Sequence, residues 1–128
     1  MRRALMVLSA VLVLSSAGCS KVVDKKNKTL GPHEMWVLEI DKHKSGLKLE
    51  VKVEADAKVL GCIYSATKEL VAQNSVANKK KPDDALAFKE GKESFTLNGT
   101  LPANEDGRIV IMNLGLKPVE AKVNIVGR

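Results

Sequence analysis

The most constraining feature of the chain is a run in which apolar and charged side chains alternate without a break. Within residues 47–55, an apolar residue stands at every second position, and a lysine or glutamate separates each one from the next. Successive side chains of a β-strand point to opposite faces of the sheet, so this run predicts a strand with one buried and one solvated face. A helix of the same sequence would spread the apolar residues around its whole circumference.

Other apolar runs, separated by turn-forming residues, predict further strands. The predicted strands cover residues 35–40, 47–55, 58–65, 94–101, 107–114 and 119–126, with a short edge strand at 85–89. Residues 58–65 are apolar on both faces, which predicts a central position in the sheet. Residues 67–77 fit a short helix or an irregular excursion better than a strand, and residues 78–84 have the composition of a loop.

Six to seven short strands with little helix predict an all-β fold, a single antiparallel β-sandwich with jelly-roll-like topology over residues 34–128. A parallel sheet would need crossover helices that this sequence lacks. One domain is expected from 128 residues of which 45% are hydrophobic. Because only 3% are aromatic, the core should consist of Val, Ile and Leu, with Trp36 and Phe95 as its largest members.

Residues 1–18 have the layout of an export signal. Arg2 and Arg3 give a basic start, and the apolar run of residues 4–14 contains Ser9 as its only polar member. Small residues follow up to Gly18. A membrane-spanning helix would need about 20 apolar residues, more than this run provides.

The residues Ser16-Ala17-Gly18-Cys19 at the end of this signal resemble the lipobox of bacterial lipoproteins, although the family more often has leucine at the position of Ser16. The resemblance implies cleavage between Gly18 and Cys19 and attachment of fatty acyl chains to the Cys19 sulfur, which would hold the protein at a cell-envelope membrane. No other cofactor is expected. Ser20 follows the cysteine, where inner-membrane lipoproteins of enterobacteria carry aspartate, and this favours the outer membrane.

Two alternatives remain open for the cysteines. The signal could be an ordinary secretory signal that ends near a cysteine, or Cys19 and Cys62 could form a disulfide, since the chain has only these two. With lipid on Cys19, Cys62 has no partner in the chain. We then expect Cys62 to be a buried strand residue that behaves as a small apolar side chain.

Residues 19–33 lack apolar periodicity and are predicted to be the lipidated cysteine followed by a flexible tether. The tether is rich in lysine, and lysines beside a lipid anchor would attract anionic head groups. A solvated spacer without such contacts is the alternative.

Residues 95–103, 109–113 and 119–125 follow one another as an apolar strand ending in Pro-Ala, a second apolar strand ending in asparagine, and a third strand. This order resembles the GOLD domains and the bacterial pre-peptidase C-terminal domains, which are β-sandwiches. The resemblance implies a binding or accessory module. Some members bind calcium through acidic loops, and the corresponding acidic pairs here are Asp83-Asp84 and Glu105-Asp106.

Lys79, Lys80 and Lys81 form the densest basic cluster and are the candidate interaction patch. They could approach an anionic envelope polymer, whereas a solvated loop tip is the alternative. Nucleic acid is not an expected partner, because the chain lacks aromatic stacking platforms and Asp83 and Asp84 offset the lysines.

No catalytic residue or metal site is predicted. The chain contains no Gly-X-Ser-X-Gly elbow, Walker loop or GxGxxG motif. His33 and His43 are ten residues apart in predicted loops, which is not a metal-ligand spacing.

The sequence thus predicts a non-enzymatic lipoprotein that binds an envelope protein or polymer, with contacts at edge strands and in residues 66–84. An accessory domain or small enzyme that acts on envelope polymers is one alternative, and a structural spacer without a ligand is another.

Overall fold

The computed structural model describes residues 22–128, apart from the side chain of Lys92. The predicted signal and Cys19 lie outside these residues. The strands are β1 (Val22–Leu30), β2 (Met35–Ile40), β3 (Leu47–Ser65), β4 (Ala87–Leu101), β5 (Gly107–Asn113) and β6 (Val119–Gly127). A single 3₁₀ turn (Ala66–Lys68) leads from β3 into the helix α1 (Glu69–Ala77). Within the described part of the chain, no helix is long and apolar enough to cross a membrane.

The six strands form one antiparallel sheet that curls so that its two halves pack against each other. Strand β3 belongs to both halves. Its first part pairs with β6 and with the end of β4, and its second part pairs with β5 and with the start of β4. Strand β1 extends the first half beyond β6, and β2 extends the second half beyond β5. The predicted antiparallel β-sandwich is confirmed.

Strands β3 and β4 are longer than predicted, because the chain bends where the sequence predicts breaks. Residues 47–55 and 58–65 are parts of one strand of 19 residues, and the predicted edge strand at 85–89 lies largely in the first part of β4. The pairing of β3 with β4 shifts register between Glu54 and Val59 and again between Val59 and Gly61. Such β-bulges bend a strand without ending it, so β3 passes from one half to the other.

Strand β1 occupies most of the segment predicted to be a flexible tether, and that prediction is wrong from Val22 onwards. Val22 pairs with Gly127 of β6, and the pairing continues without interruption to Leu30 and Val119. Leu30 is the only buried residue of β1. Backbone hydrogen bonds therefore stabilise a strand that has no apolar alternation, and the lysines on this edge protect it from pairing with other chains. The sandwich therefore includes residues from Val22 onwards in addition to residues 34–128.

The main core lies between the two halves and contains residues of all six strands. The buried residues are Leu30; Leu38 and Ile40; Leu47, Leu49, Val51, Val53, Val59 and Ile63; Leu97 and Leu101; Ile109 and Ile111; and Val119, Ala121, Val123 and Ile125. The prediction of an aliphatic core is therefore confirmed. Trp36 and Phe95 are only half-buried at its margin. The largest fully buried side chain is instead Tyr64, which the sequence analysis does not single out.

A second, smaller core lies on the outer face of the second half, beneath α1. Ala72 and Val76 of the helix are buried against a cluster that includes Leu60, Cys62 and Tyr64 of β3. This helix explains why residues 58–65 are apolar on both faces: one face packs into the main core and the other beneath α1. The central position predicted for this segment is confirmed, since β3 has a neighbouring strand on each side.

Cys62 is fully buried, as predicted, and its Sγ lies 3.8 Å from the carbonyl oxygen of Ile63. Burial raises the pKa of the Cys62 thiol to about 12, so the thiolate that reacts with disulfide reagents is scarce at neutral pH. We expect the native protein to react with dithiobis(nitrobenzoate) over hours and the guanidinium-unfolded protein within seconds to minutes. Rapid labelling of the native protein would contradict the burial.

The same pKa predicts a loss of stability in alkali. Between about pH 9 and about pH 12, the unfolded thiol loses its proton while the folded thiol keeps it. The free energy of unfolding should therefore fall as the pH rises through this range. Burial also raises the pKa of Tyr64, which acts in the same direction. The free energy of unfolding of Cys62→Ala, measured by chemical denaturation at each pH, should fall less steeply with pH than that of the wild type.

Candidate interaction surfaces

An apolar hollow opens at the end of the sandwich where β5 turns into β6. Its lining comes from Ala57 and Lys58 at the bend of β3, from residues 114–117 of the turn, and from Val119 at the start of β6. Its volume is about 520 Å³. Leu116 is 80% exposed at this site. The fold therefore leaves apolar surface uncovered here.

Asn113 holds the turn that forms the apolar hollow. Its side chain is completely buried. The Nδ2 group donates to the carbonyl oxygens of Leu30, Gly31 and Lys117 at 3.2, 3.0 and 2.7 Å, and Oδ1 accepts from the backbone N–H of Gly115 at 2.8 Å. One amide side chain thus ties the β5–β6 turn to the turn between β1 and β2, and the apolar hollow is preformed.

The turn between β1 and β2 is held by a second polar side chain, Glu34. Its Oε1 accepts from the backbone N–H of Gly31 at 2.8 Å, and its Oε2 lies 3.1 Å from Nζ of Lys28. The hydrogen bond from the Gly31 N–H lowers the pKa of the Glu34 carboxyl most, and the Lys28 ammonium lowers it further. The carbonyl oxygen of Glu34 also accepts from the backbone N–H of Asn113 at 3.1 Å, so both turns are fixed at the same end of the sandwich.

Two lysines, Lys58 and Lys117, stand among the apolar residues of the hollow. Among residues 22–128, neither ammonium group forms an ion pair. Asp56 Oδ1 accepts from the backbone N–H of Glu120 at 3.0 Å. Within the described residues 22–128, the surface therefore combines uncovered apolar area with two lysines that form no ion pair, which suits a group that is itself apolar with carboxylates beside it.

The predicted patch of Lys79, Lys80 and Lys81 lies in the exposed loop that follows α1. Lys79 has a φ of 58°, and its N–H donates to the carbonyl oxygen of Val76, while the N–H of Lys80 donates to that of Ser75. This is a Schellman motif, which ends the helix. The backbone of the cluster therefore has a role in helix termination, and a binding role for its side chains stays a prediction.

Residues 66–84 also carry exposed apolar side chains, which lie on α1. Leu70 is 79% exposed and Val71 is 62% exposed, whereas Ala72 and Val76 face the second core. The sequence predicts contacts within residues 66–84 but does not single out these two residues. Because apolar residues lie on both sides of this short helix, the sequence alone does not show which of them pack inward.

Three of the four acidic residues matched to calcium-binding loops make hydrogen bonds or ion pairs within the protein. Asp84 pairs with Lys68 at 3.9 Å, Glu105 accepts from the Ser65 hydroxyl, and Asp106 accepts from the backbone N–H of Lys42. In the described range of residues 22–128, no group of three or more His, Cys, Asp or Glu residues is placed to hold a metal ion.

The two histidines lie at opposite ends of β2, so the structure does not bring them together. His33 adopts a positive φ of 57° in the turn before β2. His43 lies in the loop after β2, where its Nδ1 donates to the carbonyl oxygen of Asp41 at 3.0 Å. Both are loop residues, as the sequence predicts.

The sequence does not predict the apolar hollow. Residues 113–118 contain the turn formers Gly115 and Pro118, and the unusual signal there is a pair of leucines, Leu114 and Leu116, beside them. The contribution of Ala57 and Lys58 depends on the bend of β3, which brings residues far apart in sequence to one end of the sandwich.

Comparison with solved structures places the fold among β-sandwich-like domains. The periplasmic inhibitor of g-type lysozyme PliG from Aeromonas hydrophila is similar over 83% of this chain and 86% of its own, with a TM-score of 0.57 and 11% sequence identity. The Yersinia pseudotuberculosis-derived mitogen is similar over 82% of this chain and 85% of its own, with a TM-score of 0.57 and 6% identity. These likenesses concern the fold. No protein-family model and no curated protein matches the sequence.

Proposed function

We propose that the protein is a lipid-anchored lipoprotein of the bacterial cell envelope that binds a partner and does not catalyse a reaction. The observation that carries the proposal is the preformed apolar hollow, which leaves Leu116 exposed on a rigid β-scaffold. Recognition surfaces are commonly built from loops on such a scaffold. A domain of similar fold is a periplasmic lysozyme inhibitor, which supports a protein-binding role in the same compartment.

The anchoring part of the proposal comes from the signal-like residues 1–18 and the lipobox-like residues before Cys19. Strand β1 begins at Val22, three residues after Cys19. An extended chain spans at most about 3.6 Å per residue, so the lipidated residue would stand within about 11 Å of the sandwich. The domain would therefore sit directly on the membrane surface, with the outer membrane favoured by Ser20.

The anchor is tested by expressing the full-length chain and Cys19→Ala in a Gram-negative host. We expect the wild type in the detergent phase of a Triton X-114 partition, with fatty acyl chains on Cys19 in mass spectra, and we expect Cys19→Ala in the aqueous phase. Cys62→Ala is the matched control and should partition like the wild type. A wild-type product without lipid on Cys19 would refute the anchor.

A further inference from the structure

We infer that the apolar hollow binds a protein segment in which carboxylates flank an apolar side chain, and that it does so at the end of the domain directed away from the membrane. The orientation rests on the lipid anchor of the proposed function. The chemistry of the occupant rests on the lining of the hollow alone.

Strand β1 separates the anchored end from the apolar hollow. Val22 begins the strand, and Leu30 ends it beside Val119, which lines the hollow. At a rise of about 3.3 Å per residue, these nine residues span about 26 Å. The hollow therefore opens at the end opposite the attachment point, where it faces other molecules of the envelope and not the membrane that holds the anchor.

The residues that line the apolar hollow indicate which class of partner it binds. Sugar and phosphate polymers are strongly hydrated, and covering their polar groups with Ala57, Leu114 and Leu116 would cost the hydrogen bonds they make to water. A leucine or phenylalanine side chain makes no hydrogen bonds to water, so burying it in the hollow carries no such cost. It would bury the apolar surface that Leu116 leaves in solvent.

Lys58 and Lys117 form no ion pair with any other residue of the described range 22–128, and they specify the charge beside that side chain. Lys58 lies on the bend of β3 and Lys117 on the β5–β6 turn, so a lysine side chain lines the hollow from each of two segments. Carboxylates on both sides of the bound side chain would complement both ammonium groups. Because Asn113 already fixes the turn, binding does not have to order it.

The test uses residues 20–128, which lack the lipidated cysteine and contain all six described strands, and a synthetic peptide in which glutamates alternate with leucine and phenylalanine. We expect the peptide to shift backbone amide resonances at residues 57–58 and 114–119 in ¹H–¹⁵N spectra. A peptide with lysine in place of glutamate, and one with serine in place of the apolar residues, should each bind at least tenfold more weakly.

Variants of the chain provide matched comparisons. Leu116→Ser should weaken binding of the acidic peptide at least tenfold, and the double variant Lys58→Glu, Lys117→Glu should do the same while strengthening binding of the lysine peptide. Leu70→Ser removes a leucine of nearly equal exposure on α1, and Lys79→Glu with Lys81→Glu reverses two exposed lysines elsewhere. These controls should change the affinity less than twofold.

Several outcomes would overturn the inference. These are an absence of shifts around the hollow at millimolar peptide, equal binding of the acidic and lysine peptides, and shifts that centre on residues 79–81. Vesicles of phosphatidylglycerol that occupy the hollow in the absence of an anchor would identify a lipid as the occupant and would also overturn it. The peptide experiment uses an unlipidated chain, so its failure is distinguishable from a failure of the anchor, which the Cys19→Ala partition measures separately.

Discussion

Asn113→Ala is expected to lower the free energy of unfolding by about 3–5 kcal/mol, which is a large fraction of the stability of a domain of this size. The change would remove the Asn113 partner from the carbonyl oxygens of Leu30 and Lys117 and from the N–H of Gly115, whereas the Gly31 oxygen would keep its bond from the Glu34 N–H. Each buried polar group left unpaired costs about 1–3 kcal/mol, and some of these groups would regain water when the turn loosens.

Urea unfolding followed by circular dichroism measures this effect. Asn98→Ala is the matched control, because Asn98 is exposed on β4 and its loss should change the free energy of unfolding by less than about 0.5 kcal/mol. A loss below 1 kcal/mol for Asn113→Ala would contradict the role given to this side chain. Weakened binding at the apolar hollow should accompany the loss of stability, since the same turn forms both.

Asn113→Asp tests whether Nδ2 acts as the donor to the three carbonyl oxygens. A carboxylate at this position would accept from Gly115 N–H but would face three carbonyl oxygens where the native Nδ2 group donates. The pKa of the introduced carboxyl should therefore be raised in the folded state. Its protonated form is the better tolerated one, so the free energy of unfolding of this variant should increase as the pH falls from 7 towards 5.

Gly46→Ala is the second substitution with a large expected effect. Gly46 has a φ of 72°, and a Cβ at this position would lie 2.6 Å from the carbonyl oxygen of Leu101 and 3.2 Å from the backbone nitrogen of Ala103. Both contacts are with backbone, which cannot rotate away as a side chain can. We expect a loss of at least about 3 kcal/mol, of which the positive φ alone accounts for about 1–2 kcal/mol.

Gly91→Ala separates the effect of the positive φ from the effect of the contact with backbone atoms. Gly91 has almost the same φ, 73°, but a Cβ there would meet nothing within 4 Å. This variant should lose only the conformational part, about 1–2 kcal/mol. Thermal unfolding of the two variants beside the wild type gives the comparison. Equal losses for Gly46→Ala and Gly91→Ala would mean that the contact with Leu101 is relieved at little cost.

The sequence predicts the fold class because most strands carry their own signal. Residues 47–55 and 119–126 alternate, and the buried face of each strand is the one that the pattern indicates. Residues 58–65 are apolar throughout, and they are covered on both faces. The helix over Glu69–Ala77 and the loop that follows it also agree with the prediction.

What the sequence does not predict depends on partners that are distant along the chain. Strand β1 is polar and is recognisable only from its hydrogen bonds to β6. The continuity of β3 through residues 56–57 requires a bend, whereas local composition suggests a stop. The apolar hollow needs that bend together with a turn that Asn113 holds in place, so its residues converge only in three dimensions.

Because β3 passes through both halves of the sheet, it couples the unfolding of one half to that of the other. A strand that is hydrogen-bonded to β6 in one half and to β5 in the other cannot be withdrawn from either half alone. We expect the whole sandwich to melt as a single cooperative unit, with the amide protons of β3 exchanging with deuterium only through global opening. Damage at the end of the sandwich where β1 begins would thus change the lifetime of the native state at the opposite end as well.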